Sequence, residues 1–135
     1  MAEVEVAIYN IFKDDASVGA IAGDRIYPAL LPQSSTLPAV TYQQLAGPRD
    51  HTHDGSSGLV ESLWQVNCVA ETYKLADELA TAVRNALDDY SGTKSSVRIQ
   101  AAYVTDEGDI PEIVPENPAM TRYIKRLDFE IFFNE

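Results

Sequence analysis

His51, His53 and Asp54 are the chain's nearest approach to a metal-ligand set. Alternate residues of an extended loop point the same way, so two imidazoles and a carboxylate can converge there. A catalytic zinc site nevertheless needs three firmly held ligands with hydrogen-bonded support behind them. The run from Gly47 to Gly58 is rich in glycine and serine, so it reads as a solvated loop tip and no metal site is assigned. Cys68, the single cysteine, falls on the apolar side of an alternating stretch and reads as a small core filler. A nucleophilic thiol would need a neighbouring histidine or a helix amino terminus, and neither is suggested. The carboxylate pairs Asp88-Asp89 and Asp106-Glu107 sit at the ends of elements, where acids ordinarily solvate a terminus. No glycine-rich phosphate cradle follows a strand, and no Gly-x-Ser-x-Gly elbow is present. No active site assembles, so the expectation is a protein that is not an enzyme and carries no cofactor.

The elements around these residues follow from periodicity. Val4, Ile8, Ile11 and Phe12 share one helical face between Ala2 and Lys13, and Ala16–Ala22 reads as a second short helix ending at Gly23. Residues 23–28 read as a turn leading into an extended piece, and Pro32 and Pro38 mark an irregular connector. Ala39–Ala46 alternates, with Val40 and Tyr42 opposite Thr41 and Gln43. Leu59–Ala70 alternates over twelve residues, so with the polar loop 47–58 the pair forms a long β-hairpin. The clearest helix begins near Thr72 and runs to about Tyr90, with Leu75, Leu79, Val83, Leu87 and Tyr90 in its apolar stripe. Val97–Thr105 returns to strand character, with Val97, Ile99, Ala101 and Tyr103 on one side. Residues 106–118 hold five acids, three prolines and no base, which predicts a solvated loop. The last strand, 121–134, presents Tyr123, Leu127, Phe129, Ile131 and Phe133 together. The reading is one α+β domain over residues 1–135: a mainly antiparallel sheet of about four strands, with two principal helices on one face and the long hairpin.

Bulk properties narrow the function. The chain has 135 residues, 45% of them apolar and 23% charged, which is ordinary for a globular domain. Ten basic residues against 21 acidic ones leave a net charge of −11, which repels nucleic acid and anionic membranes at long range. No stretch approaches the ~20 apolar residues of a membrane span. The amino-terminal segment carries Glu3 and Glu5 and no early basic residue, which argues against a secretory signal.

The sheet's second face is not cleanly polar. Leu59, Leu63 and Val69 lie opposite Trp64, and Ile124 and Phe132 lie opposite Phe129. In an isolated two-layer domain these five would face water, so a neighbouring subunit is expected to cover part of that face. A twelve-residue strand extends ~40 Å and so overhangs a domain of this size. An oligomer follows from these two features.

Several runs together resemble the tail-completion, or tail-to-head joining, proteins of long-tailed bacteriophages, also called tail terminators. They are Asp14 to Pro28 with its Arg25-Ile26-Tyr27-Pro28 turn, Leu37-Pro38-Ala39-Val40-Thr41-Tyr42-Gln43, Leu63 to Ala70, and Thr72 to Leu87. The resemblance covers nearly the whole chain in order, and is weakest in the acidic stretch and the final strand. It implies no catalysis. It implies a hexameric ring on the last ring of the tail tube protein, which ends tube growth and presents a surface to the head-completion or stopper protein. The expected location is the neck of a virion assembled in the bacterial cytoplasm, with DNA passing through the ring without specific binding. Six copies of a −11 chain carry −66, and Asp106, Glu107 and Asp109 are the expected lumen-facing acids that keep DNA from sticking. Arg49, Asp50, His51, His53 and Asp54 in the hairpin loop are expected to touch another protein ring. Two rival readings stand beside this one. One is another neck component, a stopper or connector; the other is a small α+β domain binding a metal or metabolite near His51 and His53.

Overall fold

A computed structural model describes residues 2–29, 31, 36–46, 59–110 and 122–134. Helix α1 spans Ala2–Asp14 and α2 spans Ala16–Ala22. They are separated at Asp15, whose carboxylate accepts the backbone N–H groups of Ser17 and Val18 at 2.9 and 3.0 Å and so caps α2. Strands β1 (Ile26–Pro28), β2 (Ala39–Ala46) and β3 (Leu59–Ala70) follow. Helix α3 is Tyr73–Leu87, capped by the Thr72 hydroxyl, which accepts the Leu75 N–H at 3.1 Å. Strands β4 (Gly92–Lys94), β5 (Val97–Ile110) and β6 (Tyr123–Asn134) complete the order.

The sheet corrects the expected architecture. It has six strands in the order β1-β2-β3-β6-β5-β4, and it is mixed, because β1 runs parallel to β2. Three helices are described. The four-stranded, mainly antiparallel sheet missed β1 and β4, each only three residues long and too short to show alternation. The long β2–β3 pairing is present as expected, with Ala39 opposite Val69 at one end and Ala46 opposite Leu63 at the other.

Two boundaries also move. α3 stops at Leu87, short of Tyr90, because the next residues turn away to serve the sheet. Asp89 N–H donates to the Ala102 carbonyl at 2.6 Å, and the Asp88 carboxylate accepts from Val104 N–H at 2.9 Å. β5 runs on to Ile110, so Asp106–Ile110 are strand, not solvated loop. The acids there are tolerated because bases on α3 and β6 meet them.

The core lies between the helices and one face of the sheet. Val4, Ile8 and Phe12 of α1 and Leu79, Val83 and Leu87 of α3 are buried against Val60, Trp64, Val66 and Cys68 of β3 and Leu127, Phe129 and Ile131 of β6. β5 departs from simple alternation. Register shifts at Ile99/Ala101 and again at Val104/Asp106 mark two bulges. Val97, Ile99 and Ala102 therefore face the core, while Tyr103, expected among them, is 45% exposed on the other side. A bulge moves every following side chain to the opposite face, and no composition signal announces one.

Candidate functional site

The face of the sheet opposite the helices is the candidate surface, and its rows can be read from the strand registers. At one end Ala39, Val69, Ile124 and Ile110 lie level across β2, β3, β6 and β5. The next row is Tyr27, Thr41, Asn67, Arg126 and Gly108. Then come Gln43, Gln65, Asp128 and Asp106, followed by Leu63, Glu130 and Tyr103, and finally Glu61, Phe132 and Ala101. A polar belt therefore crosses the middle of this face between two less polar ends.

The five residues expected at a subunit boundary fall out unequally. Val69 is 4% exposed in the single chain, so it needs no neighbouring copy to remove it from water. Leu63, Ile124 and Phe132 are half-buried. The Leu59 side chain lies outside the described residues, as do Arg49, Asp50, His51, His53 and Asp54 of the hairpin loop. Tyr103 was missed as a member of this face, because its placement depends on the bulge.

Asp106, Glu107 and Asp109 do not share a face. Asp106 sits on the uncovered side opposite Asp128, whereas Glu107 and Asp109 sit on the helix side opposite Leu127 and Lys125. Each is ion-paired. Asp106 meets Arg126 at 3.3 Å, Glu107 meets Arg84 of α3 at 3.0 Å, and Asp109 meets Lys125 at 2.9 Å. Lys125 also donates to the Tyr73 hydroxyl at 3.1 Å, and that hydroxyl donates to Asp109. The hydrogen bond from Lys125, aided by the one from Tyr73, holds the Asp109 carboxyl below its ordinary range. The hydrogen bond to Asp109 raises Lys125 in turn.

Arg126 is the centre of the polar belt. Its guanidinium donates to Asp128 at 2.6 Å and to Asp106 at 3.3 Å, and the bond to Asp128 raises its pKa. It lies across Gly108, where an added Cβ would come within 3.0 Å of Nη2. Glycine inside a strand signals such a close approach, so this was the one sequence hint of the arrangement. The second oxygen of Asp128 is buried with no hydrogen-bond donor among the described residues.

Glu61 and Glu130 form a different kind of pair. They lie diagonally across β3 and β6, flanked by Leu63 and Phe132. A hydrogen bond with Glu61, with burial and mutual repulsion, raises the Glu130 pKa.

Among the described residues the groups considered for chemistry do not assemble, and His51, His53 and Asp54 lie outside them. Cys68 is fully buried, and burial pushes its thiol pKa up, the opposite of what a nucleophile needs. Among the described residues no group of three or more His, Cys, Asp or Glu side chains is placed to hold a metal. Among the described residues no helix is long and apolar enough to cross a membrane.

A family model described as tail completion protein gp17 matches residues 6–119. Among solved structures, the fold is similar to a chain of one titled "Virion of native gene transfer agent (GTA) particle". The TM-score is 0.74 at 16% identity, covering 99% of this chain and 96% of that one. A second solved chain has a TM-score of 0.61 at 10% identity, covering 97% and 96% respectively. At such identities the likeness speaks for the fold. A comparison with curated proteins gives no match.

Proposed function

The chain belongs to the tail completion protein gp17 family, and from that premise we propose that it closes the head-side end of a phage tail tube as a ring of identical copies. It is a structural protein of a phage tail. In the proposed role it ends tube polymerisation and offers a docking surface to the head connector. Six is the copy number we assign. The observation that carries the reading is the family match over most of the chain. The half-buried Leu63, Ile124 and Phe132 on a sheet face that no described helix covers support it as a surface for a neighbouring subunit.

Two finer assignments go with this. The hairpin loop, with Arg49, Asp50, His51, His53 and Asp54, contacts an adjacent ring. Asp106, on the uncovered face of β5, borders the channel, where negative charge keeps DNA phosphates from adhering, and Glu107 and Asp109, on the helix side, are not assigned to the lumen. Electron microscopy of tails assembled without the protein tests the main role. Tubes of abnormal length are expected, and tubes of normal length that merely fail to join heads would point to a stopper or connector instead. Replacing residues 47–58 by a short turn should leave the chain folded and abolish head joining. Reversing the charge of Asp106 should slow DNA ejection.

A further inference from the structure

Building on the ring proposed above, we infer that neighbouring copies are joined edge to edge. The open edge of β5 at Thr105–Ile110 in one copy pairs with the open edge of β2 at Gln43–Ala46 in the next. β4 covers the outer side of β5 only at Val97–Ile99, and the end of α3 takes over at Ala102 and Val104. Beyond that point no strand among the described residues pairs with this side of β5. At the opposite edge β1 covers β2 only at Val40–Tyr42. The Val40 N–H and the Tyr42 carbonyl both point toward β1. By the two-residue alternation of a strand, Gln44 turns its own N–H and carbonyl the same way, past the end of β1. Such edges are complementary to another extended strand, which satisfies their N–H and carbonyl groups in register.

Other pairings within the same chain are disfavoured. The outer side of β1 is blunted, because Ile26 gives its N–H to the Asp24 carbonyl at 2.9 Å and Pro28 has none to give. Two β5 edges related by a twofold would set Asp106, Glu107 and Asp109 against their own copies, and like charges across a strand pair are destabilising. Against β2 there is no such conflict. Gln43, Gln44, Leu45 and Ala46 carry no charge, and Leu45 is 49% exposed. Acids on an edge ordinarily deter an added strand. Here each is held by a base of its own chain, Arg126, Arg84 or Lys125.

Polarity and offset agree with closure. β2 and β6 run one way and β3 and β5 the other, so sheets laid side by side in the same sense bring β5 and β2 together antiparallel. Gly108 is level with Thr41 across the sheet. The open stretch of β2 therefore lies about three residues, ~10 Å, further along than that of β5. Joining them staggers each copy against the last, as closing strands into a cylinder requires. The two edges are different surfaces, and contacts of that kind generate rings where the rotation between copies closes.

The test uses the full chain with tail tubes. Gln44→Pro removes the edge N–H, and Leu45→Glu places a carboxylate opposite the acids of β5. Circular dichroism establishes that each variant is folded. Ring formation on tube ends, read by electron microscopy and native mass spectrometry, should weaken roughly tenfold per boundary. If a folded Gln44→Pro chain, or Leu45→Glu should the first not fold, assembles like wild type, the edge join is overturned while the ring stands. If wild type itself forms no ring on tube ends, the ring reading fails and takes this inference with it.

Discussion

Ser62→Ala is a substitution of one oxygen whose cost can be worked out in advance. Ser62 is fully buried on the core face of β3. Its hydroxyl donates to the Ile131 carbonyl at 3.2 Å and accepts from the Trp64 indole N–H at 2.8 Å. Removing it strands the indole N–H of a side chain that is 1% exposed, packed with its ring centroid 6.4 Å from that of Tyr42. An orphaned buried donor costs about 1–3 kcal/mol. The cavity left by one oxygen adds little beside that, and the Ile131 carbonyl still has a second lone pair for the ladder. The expected loss is about 1–3 kcal/mol, or a melting temperature roughly 3–12 °C lower. Trp64 is the chain's one tryptophan, so its fluorescence in urea reports this site directly. In a Trp64→Phe background no N–H is left to orphan, so Ser62→Ala should cost less than half as much there. Equal costs in the two backgrounds would show that the hydroxyl matters for some reason other than the indole, and the reasoning would be refuted.

Three further outcomes are expected. Glu130→Gln should raise stability slightly at pH 7, by about 0.2–0.5 kcal/mol, because it removes a like-charge neighbour on an exposed sheet face. The Glu130 pKa is raised in the folded chain, so its penalty is present above that pKa and is relieved as pH falls through it; Asp14 and Asp109, held low by Lys94 and Lys125, contribute stability that disappears only at lower pH. A denaturation series should therefore show a shallow rise on moving from pH 7 toward ~4.5 and a loss below, and Glu130→Gln should flatten the rise. Arg126→Met, which leaves Asp106 and Asp128 without their shared cation, should cost about 1–2 kcal/mol, whereas Asp106→Asn should stay within about 0.5 kcal/mol by the same urea assay. Thr72→Ala should cost about 1 kcal/mol through the lost cap of α3 and leave the fluorescence of the folded state unchanged.

What the sequence revealed depended on the length of each signal. Twelve alternating residues from Leu59 to Ala70 and the apolar stripe of α3 were readable because many positions repeat the same message. β1 was read only as an extended piece and β4 not at all, since three residues contain barely one period. The acidic end of β5 was misassigned for a different reason. Local charge favoured a loop, and the arginines and lysine that neutralise it come from residues 84, 125 and 126. Tyr103 went to the wrong face because the residues around the bulge look like any others in a strand. At the candidate surface, Leu63, Ile124 and Phe132 were found by alternation alone, and Val69 was assigned an exposure it does not have. The Arg126 belt was signalled only by Gly108, a glycine within a long strand.

The paired bulges of β5 bear on how this strand can change length. Gln100 and Thr105 are the two residues with no counterpart on β6. The first displacement puts even-numbered side chains on the core side and the second restores the odd ones, so the frame is shifted and then recovered within six positions. Because neither is paired, losing one alone would leave every β5–β6 pair in place and keep Glu107 and Asp109 turned toward Arg84 and Lys125. Losing both would make the strand regular from end to end with the same partners on β6. Single deletions should thus be accepted at these two positions and refused at their paired neighbours, where a loss moves the register.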